Sequence, residues 1–179
     1  MAAGATLHTF DVAVADMDRG VYEDLELRVA RHPSETAAFL VTRILAYCLE
    51  YREGIAFGEG IATTDEPAVI VRDLTGAVMA WIEVGAPEAD RLHYGSRLAE
   101  ETTVYTHRDP AKVLARWDGK RIHRREDIVL HSLDGAFVDE VAQRLERRNR
   151  LTVTVTERHL YVEINGDALE TQVADHPLG

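Results

Sequence analysis

The stretch VMAWIEV at Val78–Val84 decides the fold, because it is apolar on both faces of an extended chain until Glu83. A strand with two apolar faces lies in the interior of a sheet that is covered on both sides. We therefore predict that residues 77–84 form a central strand of an α/β domain. The prediction requires the side chains of Trp81 and Ile82 to be buried.

The dipeptide Thr75-Gly76 predicts a two-residue turn before this strand, and hence an antiparallel hairpin with the strand predicted at 68–73. Such a turn fixes the register, since each residue of one strand then faces a defined residue of the other. In that register Glu83 lies opposite Ala68.

The hairpin register brings two further acids, Asp65 and Glu66, beside Glu83 at the same end of the strands. Carboxylate oxygens clustered in this way suit hard divalent cations such as Mg²⁺ or Mn²⁺. The alternative is that Glu83 pairs with a nearby arginine and that residues 65–67 form an ordinary turn. The sequence leaves both interpretations open.

The remaining chain alternates between helical and extended patterns and contains no linker or internal repeat. We predict an α/β fold with one central mixed sheet flanked by helices, in a single domain over residues 1–179. Asn165-Gly166 is a strong hairpin signal. The predicted strands are 6–15, 21–29, 55–62, 68–73, 77–84, 102–106, 127–133, 151–156, 159–164 and 169–173. The predicted helices are 33–51, 87–101, 110–118 and 134–148.

Glu35 is the third residue of the predicted helix that begins at Pro33. At that position its carboxylate is able to cap the backbone N–H of His32. Ser34 and Glu35 also lie where helix amides are unpaired, so the segment could instead approach the acidic end of the sheet and hold a water or a ligand.

Composition and charge narrow the classes of protein. A chain of 179 residues that is 46% hydrophobic is long enough to bury one core. Its formal net charge of −11 opposes broad electrostatic binding to nucleic acid or anionic lipid. A single cysteine, Cys48, excludes an internal disulfide. Since no apolar stretch approaches the ~20 residues of a membrane helix and no leader pattern is present, we expect a cytoplasmic protein without membrane association.

A set of motifs in a fixed order resembles the YaeQ family of small bacterial proteins. RHPSET at 31–36 is followed by DEP at 65–67, DLTG at 73–76 and WIEVG at 81–85. The resemblance covers essentially the whole chain and implies a variant of the PD-(D/E)XK, or restriction-endonuclease-like, fold. The core of that fold is a helix, a three-stranded meander, a second helix and a further strand, which is the order predicted for residues 33–106.

The resemblance also implies a site. In nucleases of that fold, acids on two neighbouring strands hold a divalent metal, and a lysine helps to activate water. Glu83 corresponds to the acid of the third core strand, whereas Ala68 and Gly85 stand where an acid and the lysine are expected. The candidate catalytic residues are Glu83, Asp65, Glu66 and Glu35, the candidate metal ligands are Glu83, Asp65 and Glu66, and the candidate phosphate-binding residues are Arg91, Arg97 and Arg31.

Two functional hypotheses follow. The first is a divalent-metal-dependent phosphodiesterase or nuclease with Mg or Mn as cofactor, or a descendant that only binds nucleic acid or another phosphate ligand. The second is a catalytically inactive protein–protein interaction module, which Ala68, Gly85 and Tyr94 favour, since Tyr94 stands where relatives of the family often carry a basic residue. Metal-dependent cleavage that requires Glu83 would distinguish the two.

Overall fold

The computed structural model describes residues 4–59 and 65–179, which form two mixed β-sheets with helices packed against them. The strands are β1 Thr6–Asp16, β2 Val21–Arg31, β3 Ile55–Phe57, β4 Val69–Arg72, β5 Val78–Val84, β6 Glu101–Thr106, β7 Val129–Ser132, β8 Arg148–Thr156, β9 His159–Ile164, β10 Asp167–Gln172 and β11 Ala174–Pro177. The helices are α1 Ala37–Leu49, α2 Ala89–Leu98, α3 Pro110–Arg116 and α4 Gly135–Gln143, with a 3₁₀ turn at Arg125–Asp127. The α/β class is confirmed, although two mixed sheets replace the one expected sheet.

Sheet A has the strand order β10-β9-β8-β1-β2 and joins two antiparallel units through the parallel pair β1 and β8. The N-terminal hairpin pairs β1 with β2 in one unbroken register. Asn165-Gly166 connects β9 to β10, and both residues have positive φ, as the hairpin prediction requires. Side chains along β1 and β8 alternate between the core and solvent, so one face of sheet A is buried.

Sheet B has the strand order β11-β7-β6-β5-β4-β3, so β5 lies in its interior. β5 is antiparallel to β4 and parallel to β6. Trp81 and Ile82 are fully buried, which confirms the prediction made from their strand. Helix α1 packs on the face that carries Ile82, and α2 packs on the face that carries Trp81.

One apolar core joins the inner face of sheet A, helices α1 and α4, and one face of sheet B. Residues 40–49 of α1 are all buried, as expected for a helix enclosed between layers. A second cluster, which includes Leu92, Trp117 and Leu130, covers the opposite face of sheet B. No helix in the described parts of the chain combines the length and apolar character needed to cross a membrane.

The β4–β5 hairpin reaches the predicted register through a different turn. The N–H of Asp73 donates to the carbonyl of Ala77 at 3.0 Å, and Gly76 has a φ of +89°, so three residues rather than two form the turn. A bulge one pair further along offsets the extra residue. The first pair beyond the ladder is therefore Glu83 and Ala68, as predicted.

Helix α1 begins at Ala37, later than the sequence predicted. Residues 32–35 form a turn instead, in which the N–H of Glu35 donates to the carbonyl of His32 at 2.9 Å. Thr36 is the N-cap, and its Oγ1 accepts a first-turn amide. The carboxylate of Glu35 does hydrogen-bond to the backbone of His32, as predicted, and this bond partly offsets the rise that burial causes in the pKa of Glu35. Glu35 lies before the helix, however, so Thr36 rather than Glu35 caps it.

The C-terminal half differs from the prediction in two places. Helix α4 ends before residue 148, because the side chain of Asn149 closes a turn by bonding to both the N–H and the carbonyl of Glu146. β11 is absent from the sequence prediction, since a four-residue segment with Asp175, His176 and a final proline carries little strand signal. In the N-terminal half, β3 ends at Phe57, and the predicted strand 55–62 extends into residues 60–64, which lie outside the described residues.

Candidate functional site

A cavity of about 410 Å³ opens where β5 ends, between the start of α1 and the start of α2. Because β5 and β6 are parallel neighbours, the loops that follow them meet at the same edge of sheet B. We name this space the β5 cavity. Its lining residues are Ser34, Glu35, Thr36, Phe39, Ala68, Glu83, Val84, Gly85, Ala86, Pro87, Arg91, His107 and Arg108.

Glu83 is buried in the wall of the β5 cavity, where two side chains bind its carboxylate. Trp81 lies two residues earlier on the same face of β5, and its Nε1–H donates to Glu83 Oε2 at 3.1 Å. Arg91 of α2 donates from Nε to Oε2 at 2.7 Å and from Nη2 to Oε1 at 3.2 Å. Of the two interpretations that the sequence left open for Glu83, the structure shows the pairing with arginine.

Asp65 and Glu66 do not contribute carboxylates to the lining of this cavity. Oε2 of Glu66 accepts a backbone N–H at 3.2 Å, and its Oε1 lies 3.5 Å from Nη2 of Arg72. The backbone carbonyl of Glu66 does reach the site, where it accepts from Nη2 of Arg91 at 2.9 Å. Asp65 is exposed. Of the three predicted metal ligands, only Glu83 therefore places its carboxylate in the lining of the β5 cavity.

The donor set can be compared with the needs of Mg²⁺ or Mn²⁺. Within residues 4–59 and 65–179, no three His, Cys, Asp or Glu side chains converge as potential ligands. The carboxylate of Glu83 already accepts three N–H bonds, and Ala68 has no side-chain oxygen to add. Mg²⁺ requires about six oxygen ligands in near-octahedral geometry. In this arrangement the described residues therefore do not present a complete set of Mg²⁺ ligands.

Glu35 lies in the wall between the β5 cavity and a neighbouring cavity of about 360 Å³. Its side chain is only 2% exposed, Oε1 lies 3.6 Å from Nη1 of Arg43, and Oε2 has no hydrogen-bond partner among the described residues. Burial raises the pKa of Glu35, and the charge of Arg43 partly offsets this effect. The loop 32–35 thus approaches the end of β5, so that Glu35 and Glu83 line one cavity.

The three predicted phosphate-binding arginines have different surroundings. Arg91 lines the cavity, where its guanidinium binds Glu83. Arg31 donates from Nε to the carbonyl of Glu35 at 3.0 Å and so holds the loop before α1. Arg97 is exposed on α2 and does not line the cavity.

Sequence reasoning did not identify His107 and Arg108, which line the cavity from the end of β6. Thr42 Oγ1 donates to the carbonyl of Ala38 at 2.8 Å, so its contact of 3.2 Å with His107 Nδ1 assigns the ring proton to Nδ1. Nε2 is then the acceptor of a neutral imidazole, and burial lowers the pKa of His107, which favours that form. One feature of the sequence could have identified His107 and Arg108: they come directly after the strand that follows the second core helix, where residues often line a site at the sheet edge.

The fold and the site define an α/β protein of two mixed sheets with a ligand-sized cavity at the ends of parallel strands. The chain belongs to the YaeQ family, whose family model, described as YaeQ protein, matches residues 1–173. Uncharacterized protein YaeQ of Escherichia coli (strain K12) is 27% identical over 174 residues, which cover 97% of this chain and 96% of the relative. The protein of the same name in Salmonella typhi is 26% identical over the same shares.

Solved structures share the fold. The crystal structure of YaeQ protein from Pseudomonas syringae has a TM-score of 0.86 and 31% identity, over 97% of each chain. YaeQ protein from Xanthomonas axonopodis pv. citri has a TM-score of 0.82 and 24% identity, over 98% of this chain and 99% of that one. The resemblance drawn from the RHPSET, DEP and WIEVG motifs is confirmed for family and fold, and the relation to PD-(D/E)XK nucleases stays a prediction.

Proposed function

We propose that the β5 cavity binds a phosphate-bearing ligand, either a nucleic acid or a smaller phosphate ester. One observation carries the proposal: the buried carboxylates of the cavity each have an arginine of their own. Glu83 is paired with Arg91, and Glu35 lies 3.6 Å from Arg43. Arg108 is exposed and has no ion pair within the described residues, so it supplies the charge that a ligand meets.

The first turn of α1 adds to this preference for an anion. Its N-cap, Thr36, and its third residue, Phe39, both line the cavity, so the positive end of the helix dipole lies at the cavity wall. The exposed hydroxyl of Thr36 is able to donate to a phosphate oxygen. Nε2 of His107 accepts instead, which suits a ligand that carries a hydroxyl or N–H group beside its phosphate.

Binding of inorganic phosphate by calorimetry, and of 5′-labelled single-stranded DNA and RNA by fluorescence anisotropy, tests the proposal. Two exposed arginines give a matched pair, because Arg108 lines the cavity and Arg97 does not. Loss of a charge-assisted hydrogen bond in Arg108→Ala should weaken binding by about tenfold or more. Arg97→Ala should leave the affinity unchanged. Equal losses in both variants, removed by salt, would mean general surface attraction.

A metal-dependent phosphodiesterase is the second candidate. It is favoured by the position of Glu35 and Glu83 in one cavity, where Oε2 of Glu35 makes no hydrogen bond within the described residues. The test is cleavage of DNA and RNA with and without Mg²⁺ or Mn²⁺. Glu83→Ala is compared with Glu66→Ala, whose carboxylate has partners outside the cavity, after circular dichroism has shown both variants to be folded.

The outcomes of the two tests separate the hypotheses. Cleavage that requires both the metal and Glu83 would establish the phosphodiesterase, whereas cleavage that survives Glu83→Ala would come from another site or a contaminant. Phosphate binding without cleavage supports the binding protein. If the protein shows no phosphate binding and no cleavage, the result would favour the inactive protein–protein interaction module.

A further inference from the structure

Strand β2 forms one edge of sheet A along its whole length. It has eleven residues, pairs with β1 without a bulge and contains no proline. Within the described residues no strand pairs with its outer side. A long, regular edge presents a row of unpaired N–H and C=O groups, which proteins usually interrupt, cover or pair.

Three of the charged side chains of β2 also lack ion-pair partners. Glu23, Glu26 and Arg28 are exposed and make no ion pair within the parts of the chain that the structure describes. Like charges scattered along an edge would oppose pairing with another strand. The order of the charges along β2 decides whether they do so here.

We propose that a second copy of this chain pairs antiparallel with β2, with Leu27 opposite the partner's Leu27. In this register Glu26 lies opposite the partner's Arg28, and Glu23 lies opposite the partner's Arg31. Leu25 lies opposite the partner's Val29. Two-fold symmetry repeats each of these pairs, and in each of them either two opposite charges or two apolar side chains face each other.

Other symmetric registers that keep most of β2 paired set like charges against each other. Pairing of identical strands must centre on a residue, because facing residues need the same hydrogen-bonding direction. A centre at Leu25 puts Asp24 opposite the partner's Glu26, and a centre at Glu26 puts two glutamates face to face. The centre at Leu27 avoids both conflicts.

The pairing also agrees with the faces of the sheet. Leu27 and Val29 are buried on the core face, and Leu25 is half-buried there, so the apolar pairs would extend the existing core face. Glu26 and Arg28 lie on the exposed face, where their pairs remain in contact with solvent. The two five-stranded sheets would become one continuous sheet. A strand-edge interface is small, so the dimer should dissociate on dilution.

Sedimentation velocity of the full chain over a range of micromolar concentrations tests the proposal. The wild-type protein should show a reversible monomer–dimer equilibrium. Arg28→Glu and Glu26→Arg should each weaken dimerisation by about tenfold or more, because each creates two like-charge pairs across the two-fold axis. The double variant Glu26→Arg/Arg28→Glu exchanges the charges within each pair and should restore the wild-type equilibrium.

Arg150→Glu is the matched control, since Arg150 lies on the same exposed sheet face but on β8. It should leave dimerisation unchanged. A monomer at all concentrations would overturn the proposal, as would a dimer that neither single variant weakens. Weakening by both single variants without recovery in the double variant would overturn the Leu27 register. Recovery in the double variant also excludes misfolding as the cause.

Discussion

Arg91 on α2 and Glu83 on β5 form a two-point contact, in which the guanidinium Nε and Nη2 lie 2.7 and 3.2 Å from the two carboxylate oxygens. The contact follows from the side-chain periodicity of the two elements. Residues four apart on a helix share a face, and residues two apart on a strand share a face, so two such residues of α2 lie against two of β5. Arg91 therefore meets Glu83, while Gly95 meets Trp81. Since the Glu83 side chain is only 4% exposed, the arginine is what makes this buried carboxylate tolerable.

Replacement of Arg91 with methionine should lower the free energy of unfolding by about 3 kcal/mol, because it leaves the carboxylate of Glu83 buried and without its cation. Urea denaturation near neutral pH measures the loss. Adding Glu83→Gln to Arg91→Met should recover part of it, since the neutral amide has a smaller cost of burial.

The control for this prediction lies on the same helix. Arg97 is exposed and outside the β5 cavity, so Arg97→Met should change the free energy of unfolding by no more than about 0.5 kcal/mol. Equal losses in Arg91→Met and Arg97→Met would show that the buried ion pair contributes nothing specific.

Replacement of Gly95 with alanine should change the stability of the protein in the direction opposite to that usual for a helix. Replacing glycine with alanine inside a helix normally stabilises by about 1 kcal/mol. A Cβ at Gly95 would lie 2.5 Å from three ring atoms of Trp81, which is fully buried, so either the indole or α2 would have to shift. Gly95→Ala should therefore destabilise by about 1–3 kcal/mol, visible as a lower thermal midpoint. A raised midpoint would mean that α2 is able to move away from the sheet without cost.

The sequence alone was sufficient for the centre of the fold. Two apolar faces on Val78–Val84 predicted an interior strand, and Trp81 and Ile82 are fully buried. The hairpin register was also predicted, although for an incomplete reason: the positive φ of Gly76 adds a turn residue, and a bulge removes its effect. Such compensation depends on packing against neighbouring strands, which local sequence does not encode.

The candidate site was less predictable because it is assembled across layers. The acid at Glu83 was found from its strand, but its partner depends on the rotation of α2 about its own axis. Thr36, rather than Glu35, caps α1, because a short hydroxyl reaches the first-turn amide while the turn 32–35 draws Glu35 inward. His107 enters the cavity through the parallel pairing of β5 and β6, a contact that no local motif reveals.

The pH dependence of stability should change when Glu35 is replaced with glutamine. Burial raises the pKa of Glu35 in the folded state above its unfolded value of about 4.3, so the folded state binds the proton more tightly. The stability from this group is therefore complete below the unfolded pKa and is lost as pH rises through the folded pKa. Glu35→Gln removes this loss, so the variant should gain stability relative to the wild type as pH rises. Urea titrations across this interval measure the difference, and parallel curves would contradict it.

Arg43 should be irreplaceable by lysine, because its guanidinium serves several acceptors at once. Nε donates to the carbonyl of Ala68 at 3.1 Å, another nitrogen donates to the carbonyl of Gly58, and Nη1 lies 3.6 Å from Glu35. A single ammonium group does not reproduce that planar fork. Arg43→Lys should therefore lower the free energy of unfolding by about 2–3 kcal/mol in urea denaturation, since buried acceptors are left without donors.

In the control variant Arg72→Lys the changed side chain is 42% exposed, and the loss should stay within about 1 kcal/mol. Equal losses at the two positions would contradict the prediction. A smaller cost of Arg43→Lys in the Glu35→Gln background would assign part of the loss to the unpaired carboxylate, because coupled neighbours are not additive.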